Sequence, residues 1–327
     1  MMRGKAMRWR GMVGMVALAV LAPSAAFAAD AVSLRLDWIV GSEHAPIFLA
    51  REKGFFKEEG IDVTIIRGEG STVTVKLVGN RTNDFGYATA DQALMAYAKG
   101  LPVVATAVIL QKSPSAIIFP KAKAIAKLEQ LYGKRLGTQI KSVVDKQWDA
   151  VAKIHKIDRK KITEIPSDQA IAASIIADKI DAGVAFFFND GLLAETKGTP
   201  MGWLLFSDLG LPMYSTSLLV HEAMLKEKPD LVRRFTRAFV RGWTYSKANP
   251  QEALAVFLKA NPEADAAYSK LKLPAVLSLT DTEDTRKNGI GYSTRAGWEG
   301  MQKALIDMQL MEAPIDVSKV FTNDFLK

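Results

Sequence analysis

The sequence contains no cysteine and only three histidines, His44, His155 and His221. Without cysteine the chain forms no disulfide and offers no thiolate as a nucleophile or metal ligand. The histidines are far apart, no His-Glu-x-x-His occurs, and neither a phosphate-binding Gly-x4-Gly-Lys-[Ser/Thr] loop nor a Gly-x-Ser-x-Gly elbow is found. These absences disfavour an enzyme. We therefore predict no catalytic residues, no metal site and no cofactor.

The formal charge of +8 is concentrated at the start of the chain. Four basic side chains lie in the first ten residues: Arg3, Lys5, Arg8 and Arg10. An apolar run from Gly11 to Ala22, then Pro23 and an Ala-x-Ala ending at Ala28, complete the pattern of a secretory signal peptide at residues 1–28. A membrane anchor needs about 20 apolar residues, and Pro23 interrupts this run too early.

Cleavage near Ala28 reduces the charge to +4, which gives little support for a nucleic-acid partner. About 300 residues remain, enough for two domains whose stability rests on their cores rather than on disulfides. The sequence thus predicts a periplasmic protein without nucleic-acid partners.

The strongest internal signal is a repeated unit of strand, helix and a second strand that opens with Asp-x-Gly-x-Ala. The first copy comprises Ile61–Ile66, a helix from Ser71 or Thr72, and Asp84–Ala88; the second comprises Lys161–Ile165, a helix from Ser167 or Asp168, and Asp181–Ala185. Parallel strands require such a crossover helix, and a Ser, Thr or Asp at the helix start is expected to cap its free N–H groups. Two copies predict two similar α/β lobes.

The lobes are not expected to be consecutive halves of the chain. An apolar strand at Val103–Leu110 is broken before a second strand begins at Ser115, and Thr216–Val220 forms a strand after a Gly- and Pro-marked stretch. We interpret these places as crossings between the lobes. The predicted organisation is a signal peptide at 1–28, lobe I at 29–112, lobe II at 113–213, and a return segment of lobe I with C-terminal helices at 214–327.

The return segment turns helical after His221. One face of a helix opened by Pro229 carries Leu231, Phe235, Ala238, Phe239 and Gly242. Arg233, Arg237 and Arg241 form a stripe on another face. A solvated helix face is favoured over a surface for a transporter or an anionic lipid.

Ligands of open α/β sheets lie outside the carboxyl ends of the strands. In lobe I, this rule selects Asp37, Trp38, His44, Gly70, Ser71, Thr72 and Thr89 as candidate ligand-binding residues. Trp38 offers a flat apolar plate, and Gly70 to Thr72 offer the N–H groups of a helix start. Core packing of Trp38 and a helix-end hydrogen bond for His44 remain open alternatives.

In lobe II, the same rule selects Thr138, Gln139, Phe187, Phe188 and Asn189, and Tyr214 lies near the return crossing. Three consecutive phenylalanines, Phe186 to Phe188, cannot all point one way, so we expect one ring to form a second plate at the cleft. Which ring does so is left open, as is the alternative that all three pack in the core.

Several motifs, taken together, resemble the thiamine-pyrimidine-synthase-like family, a branch of the type II periplasmic solute-binding proteins that serve ABC importers. They are Leu36-Asp37-Trp38, His44-Ala45-Pro46, the run from Ala50 to Val63, Asp84-Phe85-Gly86, Gly133 to Gly137, Lys179 to Gly183, Trp298-Glu299 and Phe321-Thr322-Asn323. The resemblance implies a two-lobed α/β fold with two interlobe crossings. It also implies a monomer whose partners are a small-molecule solute and an ABC transporter permease of the inner membrane.

The family includes eukaryotic enzymes that make the thiamine pyrimidine with a lysine and a histidine after the third strand. Ala88 and Gln92 stand at those positions here, and the cysteine-rich stretch of the enzymes is missing. Relatives often carry an acidic residue where this chain has Phe187 and Phe188. The resemblance therefore implies binding of a small aromatic or heteroaromatic solute, related to thiamine-pyrimidine precursors or more flavin-like.

Three rival functions remain. A small anion such as a sulfonate or nitrate would bind on Ser71, Thr72 and Thr138. A pyrimidine-precursor synthase is disfavoured by the missing lysine and histidine. The effector lobes of a transcription regulator are disfavoured by the signal peptide.

Overall fold

The computed structural model describes Met1 and residues 29–139, 142–167 and 170–327. The signal peptide predicted at 1–28 lies outside the described residues, apart from Met1. The strands are β1 Asp30–Arg35, β2 Ile61–Ile66, β3 Phe85–Thr89, β4 Val103–Val108, β5 Ser115–Pro120, β6 Arg135–Thr138, β7 Thr163–Pro166, β8 Ala182–Phe186, β9 Met201–Leu205 and β10 Thr216–His221. No helix of the described ranges is both long enough and apolar enough to cross a bilayer.

Helices cover both sheets. They are α1 Ala45–Glu52, α2 Phe55–Glu58, α3 Ser71–Gly79, α4 Ala90–Ala98, α5 Val143–Ile154, α6 Ile171–Ile176, α7 Leu192–Thr196, α8 Met224–Glu227, α9 Pro229–Ala248, α10 Pro250–Ala260, α11 Ala266–Ser278, α12 Glu283–Asn288 and α13 Arg295–Asp307. A 3₁₀ turn at Ser42–His44 precedes α1, and a π-helical turn at Phe187–Gly191 precedes α7.

The strands form two five-stranded sheets of the same design. Lobe I has the order β2-β1-β3-β10-β4, and lobe II has the order β7-β6-β8-β5-β9. In each sheet the first three strands are parallel, and the fourth position holds an antiparallel strand that arrives from the other lobe. The chain passes between the sheets in the connections 109–114 and 206–215. The α/β fold with two lobes and two crossings is confirmed.

The repeated pentapeptide has the same structural role in both lobes. The carboxylate of Asp84 accepts the backbone N–H of Ser33 at 2.9 Å, and that of Asp181 accepts the backbone N–H of Arg135 at 2.9 Å. Each aspartate thus ties the start of its strand to the neighbouring parallel strand. In both lobes a backbone N–H group of the neighbouring strand fixes the aspartate side chain, which explains why an aspartate recurs at this position.

The glycine of the pentapeptide lets a helix approach its sheet closely. A Cβ atom on Gly86 would lie 2.7 Å from Cγ2 of Val78 in α3, and one on Gly183 would lie 2.4 Å from Cγ2 of Ile171 in α6. These distances are shorter than carbon–carbon contacts allow. The helix therefore packs directly on the strand backbone in both copies.

The expected helix caps are wrong in detail. The N-cap residue of α3 is Gly70, and no side chain caps that helix. In lobe II, α6 begins at Ile171, later than expected, and Ser167 donates its hydroxyl to the carbonyl of Ile165 instead of capping the helix. Asp168, the alternative cap, lies outside the described residues.

Helix α9 has the predicted apolar face, which is buried along its length. Its arginine stripe is engaged inside the chain: Arg237 and Arg241 pair with Glu59 and Glu58 of the α2 segment, and Arg233 donates to the carbonyl of Asp324. The stripe therefore clamps α9 to neighbouring segments of the same chain.

Candidate functional site

The carboxyl ends of β1 and β2 are joined by backbone hydrogen bonds that present Trp38. Gly68 donates its N–H to the carbonyl of Trp38 and Gly70 donates to that of Asp37, both at 2.8 Å. A Cβ on Gly68 would lie 2.1 Å from the carbonyl oxygen of Leu36, so only glycine permits this contact. Trp38 is 53% exposed and stands beside Gly70. The tip thus offers a fixed aromatic plate to solvent.

The side chain of Asp37 is held by a hydrogen bond to the ring of His44. His44 is completely buried, and its Nε2 lies 2.8 Å from Oδ1 of the half-buried Asp37. Gly41 donates its N–H to Nδ1, so Nε2 carries the proton and donates it to Asp37. His44 therefore orients the carboxylate and is itself covered, as the alternative of a helix-end hydrogen bond describes.

The pKa of His44 reflects opposing effects. Burial lowers it, but the hydrogen bond to Asp37 and the charge of Glu43 outweigh burial and raise the pKa above its ordinary value. The neighbouring Glu43 has a lowered pKa, because the charges of Lys272 and His44 outweigh its own desolvation. The tip of lobe I is thus a network of coupled charges directly beneath Asp37.

The starts of α3 and α4 are tied together beside Trp38. Ser71 Oγ accepts the N–H of Thr89 at 3.2 Å, and the exposed Thr72 donates its hydroxyl to Oε1 of Gln92 at 2.8 Å. The structure therefore brings Ser71, Thr72 and Thr89 together as predicted neighbours at one sheet edge. Sequence reasoning missed Gln92 as their polar partner.

In lobe II, Thr138 and Gln139 lie at the carboxyl end of β6. Thr138 is buried, and its carbonyl accepts the N–H of Ser167 at 2.9 Å. Gln139 is half-buried, and its carbonyl accepts the N–H of Ser142, which caps α5 through its hydroxyl. Residues 140–141 of this loop lie outside the described residues.

The three phenylalanines after β8 have different environments. Phe187 is buried, with its ring centroid 4.7 Å from that of Trp203 in the edge strand β9. Phe188 is also buried, below the ammonium of Lys272. Phe186 alone of the three is half-buried. The alternative of core packing therefore describes both Phe187 and Phe188, and Phe186 is the most exposed ring of the three.

The side chains of Asn189 and Tyr214 contact other parts of the chain. Oδ1 of Asn189 lies 3.4 Å from the hydroxyl of Tyr268 in α11. The hydroxyl of Tyr214 accepts the N–H of Thr294 at the start of α13, and its ring packs against Trp298. Tyr214 is thereby committed to α13, whereas Asn189 lies where lobe II meets α11.

Sequence reasoning missed Glu43, Tyr268 and Lys272. Nζ of Lys272 in α11 forms a buried ion pair with Oε2 of Glu43 at 2.8 Å. Tyr268 donates its hydroxyl to the carbonyl of Phe188 at 3.0 Å. The only sequence signal for this ion pair was the position of Glu43 beside His44, because nothing in the local sequence of α11 indicates a buried lysine.

Two further observations concern other places where a site could lie. A cavity of about 200 Å³ lies where β3 begins, lined by Arg81, Asn83 and His221 among others, at the sheet edge opposite Trp38. Within the described ranges, no group of three or more His, Asp or Glu side chains is arranged to hold a metal ion. The candidate site at the polar and aromatic strand tips is therefore distinct from this cavity.

Known proteins resemble this chain over most of its length. The riboflavin-binding protein RibY of Chloroflexus aurantiacus is 26% identical over 312 residues, covering 93% of this chain and 88% of RibY. The 4-amino-5-hydroxymethyl-2-methylpyrimidine phosphate synthase of Legionella pneumophila is 26% identical over 301 residues, covering 90% of this chain and 92% of that enzyme.

The structure of the periplasmic aliphatic sulphonate binding protein SsuA from Escherichia coli superimposes with a TM-score of 0.69 at 12% identity, covering 89% of this chain and 91% of SsuA. This likeness shows the fold, which is the two-lobed type II periplasmic-binding-protein fold. Residues 41–253 match the family described as NMT1/THI5 like. That match spans both lobes and more than half of the sequence, so the chain belongs to the NMT1/THI5-like family.

Proposed function

We propose that the protein is the periplasmic solute-binding component of an ABC importer and captures a small aromatic or heteroaromatic solute between its lobes. The observation that carries the proposal is the tip of lobe I, where the exposed Trp38 directly follows Asp37, whose carboxylate is held by His44. A ring stacks on an indole, and a carboxylate oriented by His44 accepts N–H or O–H donors from its edge. The pair fits a flat solute with polar groups at its rim.

Lobe II supplies the opposite side in this proposal. Gln139 offers an amide and Phe186 an aromatic edge, both half-buried at the carboxyl ends of β6 and β8. Movement about the connections 109–114 and 206–215 would bring these groups toward Trp38. A solute that touches both lobes stabilises the closed arrangement, because it binds that arrangement better than the open one.

The names of the relatives support a ring as ligand. RibY is named for riboflavin, and the Legionella protein is named for a phosphorylated pyrimidine. The synthase alternative is disfavoured here, because the small buried Ala88 and the hydrogen-bonded Gln92 stand where the enzymes of the family place lysine and histidine. Export to the periplasm and delivery to a permease belong to the proposal and are supported by the family resemblance.

A small anion is the second candidate. Helix α3 starts without a side-chain cap, and the N–H groups of its first turn lie next to the hydroxyls of Ser71 and Thr72. Free N–H groups and the helix dipole favour a sulfonate at such a position. The two candidates differ in whether affinity depends on the ring or on the acidic group.

The deciding experiment begins with protein purified from the periplasm. Denaturation followed by mass spectrometry identifies any released compound, and calorimetry on refolded protein then compares riboflavin, an aminopyrimidine and an alkanesulfonate. We expect a ring compound to be released or to bind. Binding of the alkanesulfonate alone would establish the second candidate, and conversion of any solute would overturn the proposal.

A further inference from the structure

Helix α11 is a third element at the junction of the lobes. It belongs to the return segment and packs against α10, but it also contacts α7 and the π-helical turn of lobe II and the 3₁₀ turn Ser42–His44 of lobe I. Leu273, Val276 and Leu277 anchor it in the apolar core. One short helix therefore touches the strand tips of both lobes.

On the lobe I side, α11 is bound by charge. Lys272 and Glu43 form their ion pair with side chains only 7% and 16% exposed. Removing one member of such a pair leaves a buried charge without a partner, which is strongly destabilising. Glu43 adjoins His44, which holds Asp37, and the pair therefore acts directly on the candidate site.

On the lobe II side, α11 is bound by a tyrosine and by an aromatic face. The hydroxyl of Tyr268 donates to the carbonyl of Phe188 at 3.0 Å. The ammonium of Lys272 lies 5.2 Å from the ring centroid of Phe188 and 5.3 Å from that of Tyr268. A single buried cation thus lies between a carboxylate of lobe I and an aromatic ring of lobe II.

A second cluster of the same composition shows what is particular to this one. Lys53 pairs with Glu252 at 2.7 Å and lies 4.4 Å from the ring centroid of Tyr245, whose hydroxyl also bonds Glu252. Lys53 directly follows α1, and its partners lie on α9 and α10; the lysine and glutamate are 31% and 42% exposed. The cluster is a surface contact that does not reach lobe II.

We propose that Tyr268 and Lys272 are positioning residues that latch the two lobes together across α11, so that the protein without solute already favours the arrangement in which the strand tips approach each other. Opening the cleft separates Glu43 from Phe188, and it must therefore break either the ion pair or the tyrosine bond. The inference deepens the proposed function and rests on it for the purpose of the movement. Its test needs no solute.

The absence of cysteine makes the distance between the lobes directly measurable. Exposed Lys76 of α3 and Lys146 of α5 are replaced by cysteine and carry nitroxide labels, one on each lobe. Double electron–electron resonance is recorded on solute-free protein in this background, with Lys272→Met, Tyr268→Phe and, as matched control, Lys53→Met. Tyr268→Phe removes only a hydroxyl, so this variant keeps its core packing.

We expect both latch variants to shift the distance distribution to longer values and to broaden it, while Lys53→Met leaves it unchanged. Lys272→Arg, which keeps the charge, should recover part of the short distance. Because apparent affinity scales with the fraction of competent protein, halving the closed population would double the apparent Kd of any solute.

Distributions for Tyr268→Phe and Lys272→Met that match the parent would overturn the latch. If Lys272→Met fails to fold, Tyr268→Phe decides alone. Failure to find a solute would contradict the proposed function but would not change the measured distances between the lobes.

Discussion

Asp84 in lobe I and Asp181 in lobe II occupy the same place in their sheets, and each accepts a backbone N–H of the neighbouring strand at 2.9 Å. At the other ends of the strands the lobes diverge. Lobe I exposes Trp38 beside an oriented carboxylate, whereas lobe II buries Phe187 and Phe188 and receives α11. The repeated motif is therefore part of the scaffold, and the proposed recognition surface lies where the two copies differ.

The close helix approach shared by the lobes gives the largest expected effect. Gly183→Ala forces a methyl group against Ile171 at 2.4 Å, and Gly86→Ala forces one against Val78 at 2.7 Å. Overpacking of this kind costs about 1–3 kcal/mol, so both variants should unfold at lower urea concentration, Gly183→Ala more so.

Gly191→Ala is the matched control for these variants. Its new Cβ would meet Ile118 at an ordinary 3.7 Å, and its backbone is already helical. Urea midpoints of the two motif variants that equal this control would show that the glycines are not required for close packing.

The difference at the strand tips gives the next effect. Trp38→Ala should weaken solute binding, because an aromatic pair contributes about 0.5–1.5 kcal/mol beyond area burial, or about 2- to 12-fold in Kd. Ile39→Ala removes an equally exposed apolar side chain without a ring. Calorimetry with the compound released from the protein should separate the two variants, and equal losses would exclude stacking.

The smallest effect concerns acid stability. The hydrogen bond from Arg135 and the cation of Lys123 outweigh desolvation and hold the pKa of Asp181 well below its ordinary value of about 3.9. A lowered folded-state pKa stabilises the protein at neutral pH, and this contribution is lost as the pH falls from about 4 through the folded value.

Asp181→Asn should therefore remove part of the acid-induced loss of stability, at a cost near or below about 1 kcal/mol at pH 7, because both cations are partly exposed. Asp84 bonds to the neutral Ser33 instead of to cations, so Asp84→Asn is the matched control for the loss of a carboxylate at this place in the sheet. Urea unfolding between pH 3 and pH 7 checks the comparison. Identical slopes for both variants would contradict it.

The layout of the fold was predictable because it depends on local patterns in the sequence. The repeated pentapeptide predicted two lobes, and the interrupted apolar strands predicted where the chain crosses between them. The gathering of Ser71, Thr72 and Thr89 followed from the rule that parallel strands end at one edge. These features depend on residues close to one another in the sequence.

The pairings across the chain were not predictable. His44 gave no sign that it would be fully buried under Asp37, and Lys272 reads as an ordinary helical lysine until Glu43 is found beside it. Arg237 and Arg241 of α9 could be read as a partner surface because Glu59 and Glu58, which pair with them, lie far away in sequence. Such contacts depend on the tertiary packing rather than on any local pattern.

The completion of the lobe I sheet by a strand from the return segment has a consequence for biogenesis. β4 joins the lobe I sheet only through β10, so residues 29–112 alone leave β3 and β4 without the strand that belongs between them. A growing chain cannot complete the sheet of its first lobe until the whole of its second lobe has been synthesised. We expect residues 29–112 not to fold when excised, and the interval in which this segment is prone to aggregation to end only when Thr216–His221 docks.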